Sequence, residues 1–271
     1  MGSTTRRADA FAGVDREHPQ FVNAVGRAFA ILRCFDTGTR YLGNQEIAAR
    51  TGLPKATVSR LTFTLSALGY LHYAAEREKY ALGSGVLALG RAFLGSHDVV
   101  AVARPLMLAL ADATRAAVML GAADGLRMVL LEVCQGDEVF QLRLAPGDHV
   151  PHGSTALGRA ELAARPQAAF DAALATLRAE CPKAQWPAIR DGLLRARDDV
   201  AATGFCASLG DWNPDVFAVG VPLVSADGSR VLALNCSGRV SVMTRARLAD
   251  DIGPRLVALR DRLLALTGGQ F

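Results

Sequence analysis

Residues 44–61, NQEIAARTGLPKATVSRL, carry the pattern that decides the fold of the first part of this chain. Gly52 is the residue type that turns most easily through positive φ, and Pro54 can open a second helix because its missing N–H costs nothing there. Val58 and Leu61 fall on one face of that second helix and predict its buried side. The spacing therefore predicts two short helices joined by a tight turn, which is a helix-turn-helix.

The opposite face of the predicted second helix carries short hydrogen-bonding groups and cations. A helix that exposes such groups suits the major groove of DNA, where base edges present donors and acceptors. The segment therefore predicts binding to double-stranded DNA. The candidate DNA-binding residues in it are Asn44, Gln45, Lys55, Ala56, Thr57, Ser59 and Arg60.

The segments on either side complete a winged helix-turn-helix. Residues 21–36 predict a first helix behind the motif, with apolar side chains at helical spacing: Val22, Val25, Phe29, Leu32 and Phe35. Residues 70–82 alternate around a charged tip and predict a β-hairpin in the position of the wing. Arg77 and Lys79 are candidate contacts to backbone phosphate, and an ordinary solvated turn is the alternative for both side chains.

The distribution of charge supports a nucleic-acid partner for the same half of the chain. Residues 1–96 hold 12 Lys and Arg against 7 Asp and Glu, whereas residues 97–271 hold 18 against 19. The net charge of +4 therefore comes wholly from the half that contains the predicted motif. Such an excess of cations is typical of a surface that binds phosphates.

The second half of the chain predicts an antiparallel sheet with helices packed on it. Residues 84–96 form a short apolar linker helix, and residues 99–114 an amphipathic one. Three strands (116–124, 126–134 and 138–148), three helices (155–164, 167–178 and 188–203), two further strands (216–224 and 230–236) and a last helix (244–266) follow. This order favours an α+β fold rather than a doubly wound sheet.

Composition excludes several classes of protein. At 271 residues the chain can form two domains, and none of its apolar runs reaches the roughly 18 residues of a membrane helix. Residues 1–19 lack the apolar core of a secretory signal and predict a disordered arm, so we expect a cytoplasmic protein. The five cysteines are scattered and never paired as CxxC, so we expect reduced thiols, no metal site and no cofactor.

The whole pattern resembles the IclR family of bacterial transcriptional regulators over about residues 21–267. The resemblance rests on VGRAFAILRCF (25–35), QEIAARTGLPKATVSRLTFTLSALGYL (45–71), STALGRAELAA (154–164), TGFCASLGDWNPDVFAVGVPLV (203–224) and GSRVLALNCSGR (228–239). The residue pattern predicts a disordered arm at 1–19, a winged helix-turn-helix domain at 20–83, a linker helix at 84–97 and a further domain at 98–268. The resemblance implies that this last domain is a GAF/PAS-like effector-binding domain. It also implies a homodimer, or a dimer of dimers, that regulates transcription in response to a small organic or aromatic acid.

The resemblance further implies a set of effector-binding residues. Ala156 and Leu157 would offer backbone N–H groups at the start of a helix, where anions are favoured. The remaining members carried over by position are Ser208, Asp211, Phe217, Asn235 and Ser237. Many relatives have a cysteine where Phe217 stands and a Glu-rich turn at residues 209–212. We therefore expect Phe217 and Trp212 to reshape the cup and to favour a flat or apolar acid over a very small oxoacid.

Two other functional classes are open to the second half of the chain. An enzyme, of hydrolase type, needs a nucleophile beside a base, and Ser154 near His152 is the suggestive pair, although no GxSxG or HExxH motif accompanies it. A thiol or metal sensor would use Cys134, Cys206 or Cys236. Isolated cysteines more often behave as small core residues, so we expect no catalytic residue and no metal ligand.

Overall fold

The structure is a computed structural model that describes residues 17–36, 38–95, 98–136 and 143–271. Most of the expected disordered arm lies outside these residues. Contacts divide the chain into two compact units, residues 1–96 and 97–271. Within the described part, none of the helices is long and apolar enough to cross a membrane.

The first unit is a winged helix-turn-helix. Gly52 ends the second helix at φ 72°, and its N–H donates to the Ala48 carbonyl oxygen. The third helix begins directly after Pro54, and a two-stranded antiparallel hairpin follows it. The elements are α1 (Asn23–Leu32), α2 (Asn44–Thr51), α3 (Lys55–Ala67), β1 (Leu71–Ala74), β2 (Lys79–Leu82) and α4 (Ser84–Gly95).

The core of the first unit forms where the three helices and the hairpin meet. Ile31, Ile47 and Val58 are fully buried there, and each contributes roughly 1.5–3 kcal/mol of hydrophobic stabilisation. The first helix differs from its prediction, because Val22, Val25 and Phe29 are exposed. Helical spacing identifies an apolar face but does not identify what covers it. Only the C-terminal end of α1 therefore packs behind the motif.

The second unit is built on a six-stranded antiparallel sheet with the strand order β5-β4-β3-β8-β7-β6. Helices cover both faces, so the predicted α+β architecture is confirmed. The elements are α5 (Asp98–Thr114), β3 (Ala117–Asp124), β4 (Arg127–Gln135), β5 (His149–Pro151), α6 (Ala156–Ala163), α7 (Gln167–Glu180), α8 (Trp186–Thr203), β6 (Cys206–Leu209), β7 (Val216–Val224), β8 (Val231–Arg239), α9 (Arg245–Arg247) and α10 (Gly253–Thr267).

The two faces of the sheet carry separate cores. The face towards α5 and α10 is lined by Leu120, Val219 and Leu234, among others. The opposite face packs against α6 through shorter side chains such as Ala117 and Ala233. Alternate residues of one strand therefore serve different cores, as the two-residue period of a β-strand requires. The second face contains the candidate effector site.

A close approach of backbones fixes α6 against the sheet. A Cβ atom added at Gly220 in β7 would lie 2.2 Å from the carbonyl oxygen of Ala156. A residue with a side chain at Gly220 would therefore push the first turn of α6 away from β7. Glycine at this position places the start of α6 directly over the sheet.

Three elements of the second unit differ from the predictions. The predicted strand at 138–148 falls partly on residues 137–142, which lie outside the described residues, and its remainder is a loop that leads into β5. The four-residue strand β6 was not predicted, because its sequence CASL is too short to show a clear alternation. The predicted last helix contains a wider π-type turn at Leu248–Ile252 before α10 begins.

Candidate functional site

The outward face of α3 is the candidate DNA-reading surface. Lys55, Ser59 and Arg60 are exposed, as are Gln45 and Ala56, and Thr57 is half-buried. Val58 is fully buried behind them and fixes the rotation of the helix about its axis. The structure therefore brings the candidate residues of the recognition helix together on a single solvent-facing surface.

Asn44 has a structural contact in addition to its place beside that surface. Its Oδ1 lies 3.2 Å from the hydroxyl of Thr62, a fully buried residue of α3. The same hydroxyl is within 3.0 Å of the Val58 carbonyl oxygen. Asn44 therefore links the start of α2 to the middle of α3. Because Oδ1 is engaged by Thr62, only part of the side chain is available to DNA.

Lys79 is engaged by a carboxylate. Its Nζ lies 3.0 Å from Glu46 Oε2 and 3.1 Å from Oε1. The Gly43 N–H donates to the same carboxylate at 2.7 Å, and these two contacts hold the pKa of Glu46 below its usual value. Lys79 thus ties the wing to the N-terminus of α2, which makes it a weaker candidate for phosphate contact than the sequence suggests.

Arg77 remains an exposed cation at the tip of the wing. Its guanidinium carbon lies 4.9 Å from the centre of the Tyr41 ring, and that of Arg40 lies 5.2 Å from the same centre. Both distances are within the range of a cation–π contact. The Tyr41 ring therefore holds two guanidinium groups beside the wing, and sequence reasoning missed Arg40 and Tyr41.

The second unit contains a cavity between the first turn of α6 and the face of the sheet that packs against this helix. Most of its lining is apolar, and the lining residues that the structure describes include no charged side chain. They are Met119, Leu144, Val150, Thr155, Ala156, Leu157, Ser208, Trp212, Val216, Ala218, Asn235 and Ser237. Five of the seven predicted effector-binding residues are therefore brought together: Ala156, Leu157, Ser208, Asn235 and Ser237.

Some polar groups that line the cavity have a hydrogen-bond partner within the protein, and others have none among the described residues. Thr155 caps α6 by accepting from the Gly158 N–H, and Ser208 donates to the Ser154 carbonyl oxygen. In contrast, Asn235 Oδ1 and Ser237 Oγ are buried with no hydrogen-bond partner among the described residues. A buried polar atom without a partner costs about 1–3 kcal/mol, so such atoms call for an explanation.

Asp211 lies beside the cavity rather than in its lining. Its Oδ2 accepts from Arg159 Nη1 at 2.9 Å and from the Leu209 N–H at 3.1 Å. Partial burial raises the pKa of Asp211, but the charge of Arg159 and these hydrogen bonds outweigh that effect and hold the pKa below its usual value. The structure thus places Asp211 as a support for the β6–β7 turn, which corrects its predicted contact with an effector.

Arg159 completes this support. Its side chain is 4% exposed and also donates to the carbonyl oxygens of Gly153 and Ala207, at 3.2 and 3.1 Å. Both segments border the cavity. A buried guanidinium with three acceptors therefore holds the walls of the cavity in place, and nothing in the local sequence pattern predicted this role.

Phe217 does not line the cavity. It alternates with Val216 and Ala218, which do, and its ring packs against the core on the α5 and α10 face. Phe217 lies on β7 next to two lining residues, but its side chain points to the opposite face because of the strand register. Among the described lining residues, Trp212 is the aromatic one. Its position in the turn before Asn213-Pro214 was the signal available in the sequence.

Both units match family models. Residues 24–75 match the IclR helix-turn-helix domain, and residues 91–260 match the C-terminal domain of the bacterial transcriptional regulator IclR. The chain belongs to the IclR family. It is therefore a DNA-binding transcriptional regulator, and the families that it matches are regulators rather than enzymes.

Individual relatives agree with membership of the IclR family. The chain is 35% identical over 237 residues to the HTH-type transcriptional regulator TsaQ1/TsaQ2 of Comamonas testosteroni, covering 87% of this chain and 84% of that protein. A crystal structure of an IclR family regulator from Brucella abortus is 43% identical, with a TM-score of 0.85, and the match covers 98% of this chain and 99% of that one.

A more distant IclR homologue shares the fold alone. It comes from Microbacterium hydrocarbonoxydans, was crystallised with 4-hydroxybenzoate and is 18% identical to this chain. Its TM-score is 0.71, and the match covers 91% of this chain and 98% of that one.

The geometry gives this IclR-family chain no support for the alternative chemistries. His152 Nε2 lies 2.7 Å from Glu161 Oε2, and both side chains are buried, so this ring nitrogen is already engaged by a carboxylate. Burial raises the pKa of Cys206 to about 12 and that of Cys236 to about 11, so neither is a thiolate at neutral pH. In the described segments, His, Cys, Asp and Glu form no group that could hold a metal ion.

Proposed function

We propose that this IclR-family regulator binds a specific operator and that an organic acid, aromatic rather than very small, changes its operator affinity by binding in the cavity at α6. The first unit, to residue 83, would read DNA, residues 84–97 would act as the linker and residues 98–268 would bind the effector. The observation that carries the effector part is the pair of unpartnered polar atoms in a mostly apolar cavity.

The DNA-reading part of the proposal places α3 in the major groove. Ser59 and Arg60, which are exposed, and the half-buried Thr57 would face base edges, whereas Lys55 and Arg77 would contact phosphate. Gln45, near the start of α2, and Ala56, near the start of α3, would lie against the DNA backbone. Two such units, from two subunits, would occupy successive major grooves about 34 Å apart.

The acid-binding part rests on the first turn of α6. The first amides of a helix have no acceptor within the helix, and the helix dipole adds partial positive charge there. Ala156 and Leu157 supply these amides at the wall of the cavity. A carboxylate would therefore be bound without a charged side chain, and the indole of Trp212 would offer a flat apolar surface for the remainder of the ligand. The 4-hydroxybenzoate found with the distant homologue is an acid of this kind.

The self-association part rests on apolar side chains left exposed on two helices of the first unit. They are Val25 and Phe29 on α1, with Leu87, Leu89 and Phe93 on α4. Exposed apolar clusters on a folded unit are typical of interaction surfaces. We propose that these helices contribute to a homodimer, from which a dimer of dimers could assemble.

A genomic DNA selection followed by titration tests the proposal. Purified protein should enrich a small set of duplexes, and benzoate-type acids should then shift its affinity for them, because an effector that binds one arrangement of subunits better must change the population of that arrangement. Failure to prefer any duplex over bulk DNA at low salt would contradict the DNA-reading part. Calorimetry that finds tight binding of glyoxylate and none of aromatic acids would contradict the proposed effector class.

A further inference from the structure

The recognition helix α3 carries a large apolar side chain that the core of the first unit does not use. Phe63 is 74% exposed, although it lies between two buried residues of the chain, Thr62 and Leu65. The burial of Val58, Thr62 and Leu65 fixes the rotation of the helix, so the Phe63 ring cannot turn towards the core. A ring left in water adds little to the stability of the fold, because burial of its surface is what would stabilise it. The folded unit therefore presents an aromatic ring to solvent on its recognition helix.

Phe63 lies on the same side of α3 as the candidate DNA-reading residues. Positions i, i+3, i+4 and i+7 share one face of a helix, and Ala56, Ser59, Arg60 and Phe63 have this spacing. All four are exposed. In the recognition helix of homeodomains, the residues that read the major groove have the same spacing. The Phe63 ring therefore extends the DNA-reading surface by one turn towards the C-terminal end of α3.

The neighbours of Phe63 along this face are short. Ser59 lies one turn before it and Ala67 one turn after it, and both are exposed. Arg60 lies three residues earlier, so its Cβ atom is about 5–6 Å from that of Phe63. The ring is therefore open to whatever approaches the outer surface of α3. Because DNA approaches that surface, a second subunit that covered the ring would block the operator.

The major-groove edge of a base pair offers a phenyl ring one apolar partner. Guanine, adenine and cytosine present hydrogen-bond donors or acceptors there, and a ring placed against them would bury these groups without a partner. Thymine also presents a C5-methyl group, which apolar side chains such as phenylalanine contact. A phenyl ring in the major groove therefore favours thymine over the other three bases.

We propose that Phe63 is a specificity-determining residue of the operator contact, and that its ring packs on the C5-methyl group of a thymine. This inference rests on the proposed function, since it assumes that α3 lies in the major groove. Phe63 follows Arg60 by a rise of about 4.5 Å along the helix, and successive base pairs are about 3.4 Å apart. The thymine therefore lies within about two base pairs of the base or phosphate that Arg60 contacts.

Deoxyuridine scanning of the operator tests the inference. Deoxyuridine lacks the C5-methyl group but keeps the hydrogen-bonding groups of thymine, so it removes the proposed contact alone. Each thymine of the duplex enriched by the genomic selection is replaced in turn, and fluorescence anisotropy measures the affinity of the full-length protein. One replacement near the Arg60 contact should weaken binding about fourfold, as expected when one methyl group less is buried. An operator in which no thymine is sensitive to replacement would overturn the inference.

The variant Phe63→Ala then assigns the sensitivity to one side chain. It should bind the thymine and deoxyuridine duplexes equally, and it should melt no lower than the parent, because the ring is exposed and alanine favours the helix. Leu68→Ala is the matched control. Leu68 is 64% exposed directly after α3 but lies about 140° around the helix axis from Phe63, so this variant should keep the fourfold difference. A fourfold difference that survives in Phe63→Ala would overturn the role of Phe63.

The outcomes separate this inference from the proposed function. If the protein selects an operator but is indifferent to every thymine methyl group, the role of Phe63 is wrong and the DNA-reading proposal stands. If it prefers no duplex over bulk DNA, both are wrong. If Phe63→Ala raises the dissociation constant of the dimer in ultracentrifugation and leaves the fourfold difference unaltered, the ring belongs to a contact between subunits, and the inference is overturned.

Discussion

At the scale of single residues, the surface of α3 and the wall of the cavity use side chains in opposite ways. Ser59 and Arg60 are exposed, and Val58, which lies behind them, is fully buried. Arg159, in contrast, is buried and donates three hydrogen bonds that hold other segments in place. Substitutions on α3 should therefore change DNA recognition with little effect on the stability of the fold. Substitutions around Arg159 should lower the stability of the fold with little effect on DNA recognition.

The first prediction concerns Arg60→Ala. If Arg60 reads a guanine, the substitution should cost about 1–3 kcal/mol of operator binding and should relax the preference at one base pair, because a bidentate contact to that base is lost. Fluorescence anisotropy with the selected operator and its single-base variants measures both effects. Arg77→Ala is the matched control and should weaken binding evenly across sequences. Even weakening by Arg60→Ala would instead identify it as a phosphate contact.

The second prediction concerns Asp211→Asn and its dependence on pH. The folded protein lowers the pKa of Asp211, so the stabilisation by its ionised form is fully present above the ordinary carboxyl pKa of about 3.9 and is lost as the pH falls through the lowered value. The free energy of unfolding of the parent should exceed that of the variant by about 1 kcal/mol between pH 5 and 8. This difference is smaller than for a fully buried ion pair because the Asp211 side chain is 39% exposed.

Urea unfolding at several pH values measures this difference. It should shrink below about pH 4, as the carboxyl of the parent is protonated. Asp191→Asn, which removes an exposed partner of Arg190, is the control and should change little. A difference that grows on acidification would show that the Arg159 contact does not stabilise the ionised form.

At the scale of elements, the site depends on how closely α6 approaches β7. The N-terminal turn of α6 supplies the amides, and β8 supplies the unpartnered side chains, so their separation sets what the cavity can hold. Gly220 permits this approach because it has no side chain to meet the Ala156 carbonyl.

The third prediction follows from that contact. Gly220→Ala should lower the free energy of unfolding by roughly 1–3 kcal/mol and weaken acid binding, because an added methyl forces α6 away from the sheet. Thermal melting and calorimetry measure the two effects. Gly90→Ala is the control: Gly90 lies within α4 with open space around it, so the change should be neutral or stabilising by up to about 1 kcal/mol. Unaltered stability and acid affinity in Gly220→Ala would mean that the close approach is not required.

At the scale of the whole molecule, the proposed binding of DNA by an oligomer rests on the cations and the exposed apolar side chains of the first unit. The net charge of residues 1–96 is +5, against −1 for the remainder. The apolar positions on α1 and α4 are exposed within the single chain, where they contribute little to its folding. Their presence is explained if a second subunit covers them.

The fourth prediction tests this explanation with Leu87→Glu and Phe93→Glu. A charge placed in an apolar interface should raise the dissociation constant of the dimer by tenfold or more, because desolvating it is costly. Analytical ultracentrifugation measures the change, and operator affinity should fall with it. Leu266→Glu, at an equally exposed apolar position in α10, is the control. Unchanged association in both variants would exclude α4 from the interface.

The sequence by itself determined the helix-turn-helix and the α+β architecture. Gly52, Pro54 and Val58 each affect the conformation of the segment in which they lie. Helical and strand periods are also local, so these signals can be interpreted without knowledge of distant residues. The resemblance added Asn235 and Ser237 as candidate effector-binding residues on a strand that the residue pattern had already predicted. The same local signals failed for the short strand β6 and for the packing of α1, whose side chains Val25 and Phe29 are exposed in the described part of the chain.

The tertiary structure alone decided which side chains meet. The alternation of β7 shows that Val216 and Phe217 face opposite sides, but only the pairing with β8 and the position of α6 decide which of them reaches the cavity. The contact between Arg159 and Asp211 spans 52 residues of sequence, and the unpaired state of Asn235 depends on every neighbour around it. Such properties arise from packing between distant segments, which no local pattern encodes.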